Sequence, residues 1–345
     1  MSVRVLLVED SKFMVAYIEG LLREDPNIVL LPHASDGLSG LAAICAERPD
    51  LVLIDLHLPG MHGLEVIQRA MAAVAVPMVV LSAYLDEPGR DRTFEALESG
   101  AVDVLAKPAG HDPSKVEAFR ARLLRTVHTM SKARVVRRLA NPPAAALPPV
   151  PAEAPLSARA VVVGASTGGP PVLYRLLELA PAPLRVPLFV CQHIVPGFEA
   201  GLAEWLSRTG HRCVVAFDGM PFEPGIVYLS PATAHLVLDG EKLRLHEAGA
   251  GWPLPSANLL FESAAAAFGA ESLGMILTGM GNDGAAGLRK MAQAGAYTFA
   301  QSAGTCVVDG MPAAARAAGA VRQDATPEEL GAVLRSFSAA RLAHR

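Results

Sequence analysis

The sequence predicts an α/β protein built from two doubly wound parallel-sheet domains. Three observations lead there. Strand-like apolar runs alternate with amphipathic helical stretches from residue 3 to about 140, and again from 159 to the end. A proline- and alanine-rich stretch, PPAAALPPVPAEAPL (142–156), separates the two series, and its composition suits a semi-rigid linker. The polar residues with chemical potential stand where the apolar runs stop. Alternating βα units cover both faces of a parallel sheet, and 345 residues are more than one ordinary core organises. The expected partition is a first domain over 1–125, a basic helical extension and linker over 126–158, and a second domain over 159–345.

A formal net charge of −4 gives no overall pull toward nucleic acid or anionic lipid. No apolar run is long enough to span a bilayer and no basic-then-apolar leader opens the chain, so a cytoplasmic protein without membrane insertion is expected. Cys45, Cys191, Cys213 and Cys306 show no C-x-x-C spacing, which argues against a zinc site or a disulfide framework. They read as buried free thiols.

In the first domain the strands are VRVLLVED (3–10), IVLL (28–31), LVLID (51–55), PMVVLS (77–82) and AVDVLAKP (101–108). Between them the pattern predicts helices with apolar Met14, Tyr17, Ile18, Leu21 and Leu22, then from Asp36, near 63–72 and near 90–99. Glu9 and Asp10 end the first strand, Asp55 the third, Ser82 the fourth and Lys107 the fifth. All five therefore converge on the carboxyl edge, where open α/β sheets bind ligands. Three carboxylates there repel one another unless a hard cation such as Mg²⁺ lies between them, and a cation, a lysine and a hydroxyl around one carboxylate suit phosphoryl transfer onto it. A helix over 114–140 follows, with an apolar side at Val116, Phe119, Leu123, Val127 and Met130 and a solvated basic remainder.

These residues resemble a response-regulator receiver domain over 1 to about 125. The resemblance implies a flavodoxin-like fold, Asp55 as phosphoacceptor, Glu9, Asp10 and Asp55 around Mg²⁺, Ser82 and Lys107 as switch residues, and a histidine kinase as phosphodonor. Val104 departs from the pattern, because receivers usually carry Tyr or Phe three residues before the lysine.

The second domain opens on AVVVGASTGGP (160–170), a β-branched run ending in a glycine-rich turn and Pro170-Pro171, which suit the first turn of a helix. Gly164 to Gly168 fits G-x-S-x-G and places Ser166 beside helix N-terminal N–H groups. Such a turn also serves as a dinucleotide cradle. That use wants an acid about 20 residues on, whereas PLFVCQH (187–193) ends on Gln192 and His193. LGMILTG (273–279) then runs into Met280-Gly281-Asn282-Asp283, so serine, histidine and aspartate lie along one sheet edge. An ordinary α/β-hydrolase order would place the histidine after the acid, where only His344 stands. Elsewhere the pattern predicts a helix from Pro196 toward Leu206, a strand at 211–217, and an antiparallel patch of IVYLS (226–230), HLVLD (235–239) and KLRLHE (242–247) with a turn at Asp239-Gly240. A helix over 256–268 capped by Ser256, a helix over 284–294, strands AYTFA (296–300) and TCVV (305–308), and helices near 312–317 and 326–343 complete it.

GASTGG, QH followed by Pro-Gly-Phe, LTGMGNDGA and QAGA…AQ (293–301) resemble, in order and spacing, the catalytic domain of the CheB chemotaxis methylesterases. The resemblance implies a Rossmann-like domain with an added antiparallel hairpin and no cofactor of its own. Ser166 is then nucleophile, His193 general base and acid, Asp283 the residue orienting the histidine, and the turns of Thr167 and Met280 the oxyanion donors. The implied substrate is a glutamyl methyl ester on a methyl-accepting chemotaxis receptor, with glutamine deamidation as a related activity, and phosphorylation of Asp55 releases the active site. GWPLPSAN (251–258) departs from the family, which commonly has basic residues before the Pro-Ser and Asp after it. On that segment a receiver-linked adaptor without catalysis, or an esterase with another substrate, is the alternative.

Overall fold

The computed structural model describes residues 2–82, 90–108, 113–133, 135, 158–247 and 253–338. The linker at 142–156, most of the basic extension, Trp252 and the last residues of the expected 326–343 helix lie outside them. The chain forms two compact units, Met1–Ala144 and Ala145–Arg345.

In the first unit β1 (Val3–Val8), α1 (Lys12–Arg23), β2 (Ile28–Leu30), α2 (Gly37–Glu47), β3 (Leu51–Asp55), α3 (Gly63–Ala73), β4 (Met78–Ser82), α4 (Arg90–Glu98), β5 (Asp103–Ala106) and α5 (Pro113–Met130) follow in order. The strands form a parallel sheet ordered β2-β1-β3-β4-β5. Every residue of β3 is buried, as expected for a central strand covered on both faces. Val15, Ile18 and Leu22 form the buried stripe of α1, with Met14, Tyr17 and Leu21 flanking it, and the Ser11 hydroxyl accepts the Met14 N–H at its start. Phe119, Leu123, Val127 and Met130 are the buried side of α5, which runs through residue 125 without a break.

The second unit contains β6 (Ala160–Ala165), α6 (Gly169–Leu179), β7 (Leu188–Gln192), α7 (Glu199–Ser207), β8 (Arg212–Val215), β9 (Ile226–Leu229), β10 (Ala234–Asp239), β11 (Lys242–Glu247), α8 (Ala257–Phe268), β12 (Ser272–Ile276), α9 (Ala285–Gln293), β13 (Tyr297–Gln301), α10 (Met311–Ala317), β14 (Gln323–Ala325) and α11 (Pro327–Arg335). Seven strands form one parallel sheet, β14-β13-β12-β6-β7-β9-β8. The β10–β11 hairpin, α8, α9 and α10 bury their apolar sides in a common core against one face of it.

Four expectations are corrected. The helix expected over 114–140 ends at Met130, and residues 131 and 132 are a turn. IVYLS is not part of an antiparallel patch: β9 lies between β7 and β8, parallel to both, and only β10 and β11 pair antiparallel. TCVV is not a sheet strand. Residues 303–305 are a 3₁₀ turn, and Val308 bonds through both its N–H and its carbonyl to the Thr278 hydroxyl and through its carbonyl to the Gly279 N–H, groups at the end of β12. The edge position goes instead to the short, polar β14. α11 stops at Arg335, and Ser338 makes an isolated antiparallel bridge with Leu184.

Cys191, Cys213 and Cys306 are buried and Cys45 is half-buried. Burial pushes the Cys213 and Cys306 thiols up to about 12, and that of Cys191 well above its ordinary value. Brief alkylation of the native protein at neutral pH is therefore expected to modify Cys45 before the other three. Peptide mass mapping checks this, and prior labelling of Cys306 or Cys191 would contradict the burial.

Candidate active site

The strand order decides where the functional groups meet. β6 is the first strand of its sheet and is flanked by β7 on one side and β12 on the other, so the order reverses there and leaves a crevice at the carboxyl edge. Ser166 follows β6, His193 follows β7 and Asp283 follows β12. Gly168, at φ +75°, permits the sharp entry into α6. A Cβ on Gly279 would lie 2.7 Å from the Ser166 Cβ, so the β12 turn approaches the serine as closely as glycine allows.

Nε2 of His193 is 2.9 Å from Oδ2 of Asp283, with side-chain exposures of 12% and 3%. The same carboxylate accepts the Ala257 N–H at 2.6 Å, the Asn258 N–H at 3.2 Å and the Ser256 hydroxyl at 3.0 Å. Ser256 does occupy the position before α8, but its hydroxyl makes no capping bond. Asp283 takes that role from another part of the chain, putting a negative charge on a helix N-terminus. Burial works against the charge, yet the His193 ring and the two α8 N–H groups outweigh it and hold the Asp283 carboxyl below the ordinary aspartate range.

Gln192 is a residue whose part the sequence reading left unassigned. It is 3% exposed, and its Nε2 donates to the carbonyls of Ser166 (2.8 Å) and His193 (2.9 Å), tying the two turns together. The His193 N–H donates to the Ala165 carbonyl at 2.9 Å, which sets His193 beside Ser166 across neighbouring strands. The Ser166 N–H donates to the Thr278 carbonyl at 3.1 Å, and the Thr278 hydroxyl donates to the Thr167 carbonyl at 3.0 Å. The imidazole and carboxylate are joined directly; the Ser166 hydroxyl makes no hydrogen bond among the described residues. Thr167 and Met280 lie on the turns after β6 and β12.

In the first unit the order reverses between β1 and β3, and Glu9, Asp10 and Asp55 meet there, each offering an oxygen within 4.8 Å of the others. Lys107 Nζ is 2.6 Å from Asp55 Oδ2 and 2.7 Å from Glu9 Oε2. The second contact has ion-pair distance without hydrogen-bond geometry, which leaves that buried oxygen with unused acceptor capacity. Three hard oxygen donors, one of them incompletely satisfied, fit a small divalent cation. Burial opposes the lysine charge but the two carboxylates outweigh it, and its pKa lies above the ordinary value; burial raises that of Glu9 despite Lys107. The Ser82 carbonyl accepts the Lys107 N–H at 2.7 Å. Val104 is buried in β5.

Residues 161–334 match the CheB methylesterase family model, and residues 5–117 that of the response regulator receiver domain. The protein-glutamate methylesterase/protein-glutamine glutaminase 3 of Anaeromyxobacter dehalogenans is 40% identical, over 92% of this chain and 94% of its own. The chain belongs to the CheB methylesterase family. A second relative, protein-glutamate methylesterase/protein-glutamine glutaminase 4 of Geobacter metallireducens, is 36% identical over 97% of this chain and 99% of its own. The CheB methylesterase catalytic domain of Thermotoga maritima is a structural neighbour at TM-score 0.50 and 31% identity, covering 52% of this chain and 98% of its own. Among the described residues no helix is long and apolar enough to cross a membrane.

The Asp283 carboxyl is depressed in the folded state, so the stability it contributes is present above the unfolded aspartate pKa, about 3.9, and is lost as pH falls through the lower folded value. Asp283→Asn should therefore lower the melting temperature of the catalytic unit most at neutral pH, with the gap to the wild type narrowing below about pH 4. A gap constant from pH 7 to about 3 would show that the charge is not what links α8 to the loop after β12.

Proposed function

We propose that this protein hydrolyses glutamyl methyl esters on methyl-accepting chemotaxis receptors, and deamidates glutamines there, with Ser166 as nucleophile. The observation that carries the proposal is the bonded His193–Asp283 pair, anchored at the edge of the sheet where Ser166 also stands. With Asp283 ionised, Nε2 of His193 bears the proton and Nδ1 is left to accept one from Ser166. The two residues follow neighbouring parallel strands, and the transfer requires the Ser166 hydroxyl to come within hydrogen-bond reach of that nitrogen.

The Ser166 oxygen attacks the ester carbonyl carbon as His193 takes its proton. Negative charge moves onto the carbonyl oxygen, where the backbone N–H groups of Thr167 and Met280 are the proposed donors; losing one such donor costs about 3–4 kcal/mol of barrier. His193 then protonates the departing methoxide, and methanol leaves an acyl-serine. Water, deprotonated by His193, attacks that ester, and the proton returns to the serine oxygen as glutamate is released. A glutamine side chain follows the same course with ammonia as the leaving group.

In the receiver, Asp55 accepts the phosphoryl group from a histidine kinase, and Lys107 offsets negative charge on the incoming oxygens. Glu9, Asp10 and Asp55 are the residues that hold Mg²⁺, which neutralises phosphoryl charge when bound. Ser82 is the switch hydroxyl. The buried Val104 has no ring to reorient, so the signal leaves the pocket by a route other than a swinging aromatic.

Methanol release from methylated receptor membranes is expected in the wild type and absent in Ser166→Ala; release by Ser166→Ala would end the nucleophile assignment. A fragment over 157–345 should be faster than the unphosphorylated full chain, and treatment of the full chain with a small phosphodonor should close the gap in the wild type but not in Asp55→Asn. Equal rates for fragment and untreated full chain would remove the regulatory part of the reading.

A further inference from the structure

We infer that the groove between α9 and α10 docks an acidic segment of the protein substrate, with Arg289 as the residue that pairs with its charge. The inference rests on the proposed reading that the substrate is a receptor protein, and it specifies where that protein is held.

The groove is a hollow of about 610 Å³, lined on one side by Ala286 and Arg289 of α9 and on the other by Ala314 and Ala317 near the end of α10. Its end nearest the crevice is formed by Asn258 and Asn282. Both adjoin the catalytic carboxylate: Asn282 precedes Asp283 in the chain, and the Asn258 N–H donates to Asp283 at 3.2 Å while its Oδ1 accepts the Gly287 N–H at 2.8 Å. A segment lying in the groove therefore leads toward the place where the His193–Asp283 pair is held.

The lining also specifies the occupant. Alanines present methyl groups only, so a docked backbone can approach closely if it carries small apolar side chains on that side. Lys290 is occupied by Glu262 at 2.9 Å. Arg289 is exposed and forms no ion pair among the described residues. A free guanidinium above an apolar floor suits a carboxylate from the partner, which it can meet with two parallel N–H bonds. Residues 253–258, before and at the start of α8, supply no basic side chain for an acidic partner. α9 supplies one on the adjoining surface.

The test uses the full-length protein activated by a small phosphodonor, with methylated receptor membranes and a small soluble glutamyl methyl ester as the two substrates. Arg289→Glu should lower kcat/KM on receptor membranes about ten-fold, through KM, and flatten its salt dependence, while the small ester changes less than about two-fold. Arg289→Lys, which keeps the charge but loses the paired N–H bonds, should raise KM less than Arg289→Glu does, and Ala317→Trp, which fills the groove without changing charge, should reproduce the rise in KM. An unchanged receptor KM in Arg289→Glu overturns the inference, as does an equal loss on both substrates from a variant that melts like the wild type, which would show that Arg289 serves the active site itself and does not hold the protein substrate. Wild-type protein that hydrolyses the small ester but releases no methanol from receptor membranes would instead defeat the substrate reading on which the groove depends.

Discussion

A single buried carboxylate holds the catalytic edge together. Asp283 is removed from water, and a charge in that position is tolerated only with several donors around it. It finds them on two parts of the chain: the His193 ring after β7, and the start of α8, which gives the Ser256 hydroxyl and the first two N–H groups of the helix. Helix packing and ring orientation thus share one group. The N–H groups of α8 that would otherwise need a cap are satisfied by the residue that fixes the imidazole, so displacing the helix also releases the histidine.

Both units place their chemistry by the same topological rule. In each, the strand order reverses beside the first strand, and the turns at that reversal splay apart to leave a crevice. What differs is the residues delivered there. β1 and β3 bring three carboxylates and β5 a lysine, making a pocket suited to a cation and a phosphoryl group. β6, β7 and β12 bring a hydroxyl, an imidazole and one carboxylate, with Gln192 bracing the serine and histidine turns from below.

The strand ends were legible in the sequence because an apolar run stops sharply where the sheet does, and residues such as Asp55, Lys107, Ser166 and His193 stand at those stops. Partner choice was less legible. IVYLS is expected in an antiparallel patch, yet it pairs in parallel inside the main sheet with every residue of β9 buried, because a short apolar run reports burial and not which neighbour it pairs with. Val307 and Val308 have strand propensity, but the Thr278 side chain takes the bonds of Val308 that a ladder would have used. Ser256 carries every mark of a cap, but the first N–H groups of α8 donate to a stronger acceptor distant in sequence, and the Ser256 hydroxyl donates to it as well. No local pattern reports that competition, since it depends on the loop after β12 reaching the start of α8.

The departure at Asn258 acquires a physical meaning in this setting. An aspartate there would set a second carboxylate on the turn whose N–H groups hold Asp283, and like charges at that spacing raise each other's pKa. The amide avoids this: the first turn of α8 contains no acidic residue, and Asn258 Oδ1 spends its acceptor capacity on the Gly287 N–H, fastening α8 to α9. Asp283 consequently has the N-terminal field of α8 to itself. The neutral segment before α8 adds no cation to compete with His193 for the carboxylate, and the imidazole bonded directly to it is that of His193.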